Sequence, residues 1–140
     1  MQITRQTEYA IRTIIELAKA EKSKLLSTKI ISQHQGIPEV FLKKTIQLLA
    51  HAGLITTQRG TQGGVRLAVA ADKITIADIV TAVEGRLAIN MCLSESYECP
   101  NKPVCRVHRI LWRAQATMLA ELSRESIADL VAGQEESVNA

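Results

Sequence analysis

The chain lacks the features that mark secreted, membrane and catalytic proteins. No N-terminal run combines a basic start, an apolar stretch and a small-residue cleavage site, and no run of about eighteen apolar residues occurs. A soluble, cytoplasmic protein without membrane contact is therefore expected. No nucleophile–base pair, phosphate-cradling loop or workable pair of carboxylates is found, which argues against an enzyme. Cysteine is scarce and odd in number, three in all, so a disulfide framework that pairs every cysteine within the chain is not expected. Proline is limited to Pro38, Pro100 and Pro103. With 140 residues, 46% of them hydrophobic, one compact core plus an extension is the natural organisation. A net charge of +3 permits a nucleic-acid partner without requiring one.

What cysteine there is lies in one place. Cys92, Cys99 and Cys105 fall within MCLSESYECPNKPVCRVH, and His108 follows the last of them by three positions. Free cysteines usually sit singly in apolar runs, whereas these lie among Ser, Glu, Asn, Lys and Pro. Pro100 and Pro103 keep a helix from crossing the loop, so the thiols can converge. Three thiolates and an imidazole form the donor set of a metal or iron–sulfur site. The spacing Cys-x6-Cys-x5-Cys-x2-His is wider than the short Cys pairs of zinc knuckles, which places iron–sulfur ahead of zinc. His34 and His51 have no clustering partners and read as structural or solvent-facing.

The N-terminal half has helical periodicity. Ala10, Ile11, Ile14, Ile15, Leu17 and Ala18 predict a first helix, with Thr7 as its N-cap. A second begins at Ser27 or Thr28 and ends at Gly36. Pro38 opens a third, PEVFLKKTIQLLAHAG, which closes at Gly53. The tight Gly36-Ile37-Pro38 connection matches a helix-turn-helix. On the third helix Phe41, Leu42, Thr45, Ile46 and Leu49 face a core, leaving Glu39, Val40, Lys43, Lys44 and Gln47 outward for base edges and phosphates. In LITTQRGTQGGVRLAV two β-prone runs flank Gly60, Gly63 and Gly64, a hairpin in the position of a wing that carries Arg59 and Arg66. Candidate DNA-binding residues are thus Thr28, Pro38, Glu39, Val40, Lys43, Lys44, Gln47, Arg59, Gly60, Gly63 and Gly64. ITIADIVTAVEG predicts a further helix capped near Thr75. Beyond the cysteines, Val104, Val107, Leu111, Ala114 and Met118 repeat at alternating intervals of three and four. That a/d seam, on a helix reaching about Ser123, suits a homodimer. Ile127, Leu130 and Val131 predict a short final helix, and GQEESVNA a frayed tail.

Taken together, QTEYAIRTIIELA, GIPEVFLKKTIQLLAHAGLI, RGTQGGVRLA and the cysteine loop resemble the family of iron–sulfur winged-helix transcription regulators that includes IscR and NsrR, from about Met1 to Val131. The resemblance implies a homodimer that binds pseudo-palindromic operator DNA and changes affinity with the state of an iron–sulfur cluster, 2Fe-2S rather than the 4Fe-4S alternative. His108 corresponds to the histidine ligand of IscR, while Glu8 stands where NsrR-like proteins place an acidic ligand from the other subunit. Two departures are visible: the Cys92–Cys99 spacing is one residue longer than in IscR, and Val65 replaces the aromatic that usually follows the paired glycines.

The expected fold is mainly α with a small β-hairpin, a winged helix-turn-helix plus a long dimerisation helix. Its parts are a DNA-binding domain (1–85), a cluster loop (86–103), a dimerisation helix with a short C-terminal helix (104–132) and a flexible tail (133–140). The rivals are a zinc- or thiol-based winged-helix regulator and an iron–sulfur electron carrier. The carrier would have no use for a recognition helix, a wing or exposed Lys43 and Lys44.

Overall fold

The structure, a computed structural model, describes residues 3–21 and 24–139. Helix α1 (Arg5–Lys19) is started by Thr4, whose hydroxyl accepts the Thr7 amide. Thr7, the cap expected from the sequence, lies inside the helix and is fully buried. Its hydroxyl is engaged across the fold, donating at 2.6 Å to Glu84. Ser27 caps α2 (Thr28–Gln35) by accepting the Ile30 amide, and Gly36 ends that helix in the left-handed region at φ 62°. Helix α3 (Glu39–His51) follows at once, with Pro38 at the N-cap position, just outside the first turn.

Leu42, Thr45, Ile46 and Leu49 of α3 are buried as the periodicity requires. Phe41 departs from expectation: it is 51% exposed, at the edge of the apolar stripe, with its ring 6.3 Å from that of Tyr9 on α1. Strands β1 (Ile55–Gln58) and β2 (Gly64–Leu67) pair antiparallel with Thr57 opposite Val65, forming the predicted hairpin. On its other edge Val65 exchanges two backbone hydrogen bonds with Leu26, at 2.9 and 2.8 Å. The wing is thereby stitched to the segment that leads into α2. This approach explains a glycine: a Cβ on Gly64 would lie 2.5 Å from the Leu26 carbonyl oxygen. Val65 itself is only 1% exposed, so the wing contributes an aliphatic side chain to the core.

Helix α4 (Ile76–Glu84) starts with a reciprocal capping box between Thr75 and Asp78. After a loop containing a short 3-10 turn (Met91–Leu93) comes α5 (Arg106–Leu122), with Cys105 at its N-cap. Helix α6 (Ile127–Asn139) begins with the same device as α4, since the Ser126 amide donates to Asp129 at 2.9 Å and the Asp129 amide to the Ser126 hydroxyl at 3.1 Å.

Two expected boundaries move. Val104 belongs to a turn closed by its amide on the Asn101 carbonyl, ahead of the α5 cap, so it is not part of the helical seam. Pro103 and the Cys105 cap together delay the helix. The final helix is also longer than expected: α6 continues through Asn139, in a stretch rich in helix-favouring Gln and Glu, where a frayed tail over 133–140 was expected. Ala140 lies outside the described residues.

The core gathers Ala10, Ile14, Ile31, Leu42, Leu49, Val65, Ile79 and Ile127. Helix α6 is part of it: Ile127 is wholly buried, its amide donates to the Ile74 carbonyl at 2.8 Å, and Leu130 and Val131 pack against the same cluster. The chain therefore leaves the winged-helix body at the loop after α4, runs out along α5 and returns with α6. The expected grouping of the last helix with the dimerisation helix is replaced by one with the DNA-binding domain. Ile127→Ala should consequently destabilise the whole body by about 2–5 kcal/mol, as for large-to-small changes in a closed core, read as a lowered urea midpoint. A loss confined to α6 signals would contradict this placement.

Candidate nucleic-acid interface and cysteine site

Polar side chains of α1 position the helix-turn-helix. Arg12 donates to the Gln35 carbonyl at 2.8 Å, and Glu16 accepts from Gln35 at 2.6 Å and meets His34 at 2.8 Å. His34, expected to be structural or solvent-facing, is thus paired. Gln6 donates to the Thr45 hydroxyl and, at 3.4 Å, to the Phe41 carbonyl, which ties α3 to α1. With α2 and α3 held this way, Thr28, Pro38, Glu39, Val40, Lys43, Lys44 and Gln47 are all exposed on the outside.

In the wing Arg59 and Gly60 are exposed, and Gly60 has φ 110°. Gly63 and Gly64 are half-buried. A Cβ on Gly63 would lie 2.1 Å from the Gln58 carbonyl oxygen, so the backbone of the hairpin demands the first glycine of the pair, as Leu26 demands the second. Arg59 and Arg66 are both exposed, and with Lys29, Lys43 and Lys44 they give the helix-turn-helix and wing a surplus of cations.

Cys92, Cys99, Cys105 and His108 line one cavity of about 330 Å³, together with Asn90, Met91, Tyr97, Lys102, Val107 and Leu111. All three thiols are free and half-buried. The Cys105 sulfur caps α5 by accepting the His108 amide at 3.4 Å, and the Cys92 sulfur accepts from Asn90 at 3.3 Å. His108 Nδ1 is buried without a hydrogen-bond partner. Such an atom calls for one. Among the described residues, however, no three His, Cys, Asp or Glu side chains are gathered closely enough to hold a metal ion. The structure thus brings the donors to the wall of one cavity without drawing them onto a point. Glu8 does not line it. Its carboxylate is held below its usual pKa by the hydrogen bond from Arg12 and by the charges of Arg12 and Arg5, at 2.7 and 3.3 Å.

Helix α5 rests on α4 and on the Met91–Leu93 turn, and none of its residues is fully buried. The predicted seam is split. Leu111 and Met118 are half-buried on the inward side with His108, Gln115 and Leu122, whereas Val107 (62% exposed), Ala114 and Ile110 (55%) are exposed on one flank of that stripe and Trp112 (58%) on the other. Ile110 and Trp112 were missed because they sit one step off the 3-4 repeat. An open concavity of about 640 Å³ lies along the first turns of α5 between Arg106, His108, Arg109, Ile110, Trp112 and Arg113.

Comparison with known proteins decides the family. Residues 3–133 match the model of Rrf2, described as iron-dependent transcriptional regulator. The chain belongs to the Rrf2 family. Protein rrf2 of Nitratidesulfovibrio vulgaris (strain Hildenborough) is 34% identical to this Rrf2 regulator over 131 residues, covering 94% of the chain and 87% of the relative. The fold is shared with CymR, the global cysteine regulator of B. subtilis, at 27% identity and TM-score 0.70, covering 94% of this chain and 97% of that one. It is also shared with T. potens IscR, at 25% identity and TM-score 0.75, covering 98% and 90%. The winged helix read from the sequence is thus the fold shared with these regulators. Among the described residues no helix is long and apolar enough to cross a membrane.

Sequence reasoning also missed Gln115. Its side-chain oxygen accepts the Ile89 amide at 2.9 Å and pins the start of the cysteine loop to the middle of α5. A lone Gln on a helix gives no signal of such a reach. Gln115→Ala should loosen this anchor by about 1 kcal/mol, the usual worth of one hydrogen bond, and should raise hydrogen exchange at the Ile89 amide while the core helices stay protected. Unchanged exchange at Ile89 would contradict the anchor.

Proposed function

We propose that this Rrf2 regulator is a homodimer that binds pseudo-palindromic operator DNA, and that Cys92, Cys99, Cys105 and His108 hold an iron–sulfur cluster, 2Fe-2S, whose state sets operator binding. The observation that carries this reading is the single cavity at the N-terminus of α5, lined by all three thiols and by an imidazole with an orphaned buried nitrogen. The donor set suits such a group. Holding it requires the Cys92–Cys99 loop to close on the first turn of α5, because the donors are spread around the cavity wall. When bound, the cluster would supply sensitivity to iron supply, redox poise, oxygen or nitric oxide. The chain's own contribution is to orient the sulfurs: the Asn90 side chain and the His108 amide donate to Cys92 and Cys105, and hydrogen bonds to sulfur tune a cluster's potential.

His108 is favoured over Glu8 as the fourth ligand. It shares the cavity with the cysteines, whereas Glu8 is already paired with two arginines on α1. The exposed flank of α5 that carries Val107, Ile110 and Ala114 offers the surface for a second copy. Two recognition helices about 34 Å apart would then read successive major grooves.

A second reading is favoured by the spread of the donors and by the likeness to a cysteine regulator. In this thiol switch two of the three cysteines give up two electrons and two protons to an oxidant such as a peroxide and form a disulfide.

Anaerobic purification with an absorption spectrum and iron and sulfide analysis separates the two. Each of Cys92→Ala, Cys99→Ala and Cys105→Ala should abolish the stable cluster and leave a folded dimer. His108→Ala should alter its absorption and lower its stability, and Glu8→Ala should do so only weakly. Full iron and sulfide in every cysteine variant would overturn the ligation. For the DNA half, Arg59→Ala should weaken operator binding by about 1–3 kcal/mol, and Lys43→Ala or Lys44→Ala should reduce the salt slope by about 1. Binding indifferent to all three changes would remove this docking surface.

A further inference from the structure

Positions three and four apart on a helix share a face, so Val40, Lys43, Lys44 and Gln47 form one stripe along α3, and all four are exposed. Val40 is the single apolar member and is 78% exposed. The apolar side chains around it are committed elsewhere: Phe41 lies against Tyr9, and Leu42 and Ile46 are buried in the core. A lone surface valine is ordinary in itself. This one stands in the first turn of the helix whose N-terminal residues meet base edges in a helix-turn-helix, with Lys43 and Lys44 on the next turn and Arg59 on the wing to engage phosphates.

The chemistry narrows what such a side chain can read. Valine branches at Cβ and has one strongly preferred rotamer in a helix, so its methyl groups are already aimed before binding. In the major groove the apolar feature that a base pair presents is the C5-methyl of thymine. Resting on the DNA-binding reading above, we propose that Val40 is a specificity-determining residue that packs against a thymine methyl in each operator half-site, with Gln47, about two helical turns further on, facing the same groove.

The test removes the methyl without touching the pairing edge. Full-length protein is used to select binding sequences from random-sequence DNA duplexes, and the enriched duplex is then remade with deoxyuridine in place of each thymine in turn. Burial of one methyl corresponds to about a fourfold change in affinity. Wild-type protein should therefore lose about that factor at one position of each half-site, whereas Val40→Ala should bind the thymine and deoxyuridine duplexes alike. Because Val40 takes no part in the core, the variant should melt like the wild type. Val40→Thr, which keeps one methyl, should retain part of the discrimination.

Wild-type binding indifferent to every thymine-to-deoxyuridine change would overturn the proposal while leaving sequence-specific DNA binding intact. Equal sensitivity in wild type and Val40→Ala would also overturn it, by assigning the methyl to another residue. Failure to enrich any sequence would overturn both this inference and the DNA-binding reading.

Discussion

A seventeen-residue helix in which no side chain is fully buried takes only part of its stability from its own chain, and α5 is such a helix. In water an isolated helix of this length is marginal, and helices in proteins gain most of their stability from a packed apolar face. Within the chain α5 has its inward stripe of Leu111, Gln115, Met118 and Leu122, half-buried, a single hydrogen bond to Ile89, and the sulfur cap of Cys105. Outward it presents Val107, Ile110 and Trp112 to solvent. The rest of the molecule is arranged around this deficit. The proposed second copy would cover the flank of Val107 and Ile110, and the cysteine cavity sits at the one end of α5 where the cap itself is a thiol.

The DNA-binding half has no such deficit. Helix α1 is its hub, and the links it makes are polar and specific as well as apolar: Arg12 and Glu16 to the end of α2, Gln6 to α3, and Thr4 and Thr7 to Glu84 at the end of α4. The Glu84 carboxylate is held below its usual pKa by the hydroxyls of Thr4 and Thr7. A carboxylate whose folded pKa is depressed adds stability above its unfolded value, and that stability is lost as the pH falls through the folded one. The α1–α4 link is accordingly intact at neutral pH. Two backbone bonds between Leu26 and Val65 add the wing to the same frame, so α1, α3 and the wing are tied into one packed unit.

Much of this was legible in the sequence because it follows from local rules. Ser27, Gly36, Thr75 and Gly53 delimit helices through capping chemistry that operates within a few residues, and the Gly60–Gly64 region marks a hairpin because backbone geometry demands it. What failed depended on contacts distant in sequence. Thr7 looks like a cap until Thr4 is seen to take that role and Thr7 to serve Glu84, far along the chain. The GQEESVNA stretch looks frayed until Ile127 is found in the core and anchors the helix from which that stretch continues. The seam residues were read at a coiled-coil period, yet Leu111 and Met118 lean inward and Val104 lies outside the helix. The four proposed ligands are marked by residue type, clustering and the family resemblance, and their meeting around one cavity is a fact of the fold that spacing hints at without specifying. Gln115 had no signal, since its partner is a backbone amide.

These features constrain how a change at the cysteine cavity would reach the DNA. One route runs within the chain, from the loop and α5 through α4 to α3. Helix α4 is a poor carrier of motion: it starts with a closed capping box, buries Ile79 and Val80, and is bonded to α1 at its end. Packed cores resist continuous deformation and transmit change only where a second arrangement is available. The other route runs through the relative placement of two subunits. It needs only the loosely held element, α5, to shift, and it acts on the quantity to which a palindromic site is most sensitive, the spacing of two recognition helices. In the proposed dimer, compact reading heads joined through a weakly self-stabilised helix would favour control by dimer geometry over distortion of either head. The Gln115–Ile89 bond is the contact through which closure of the loop would be felt by that helix.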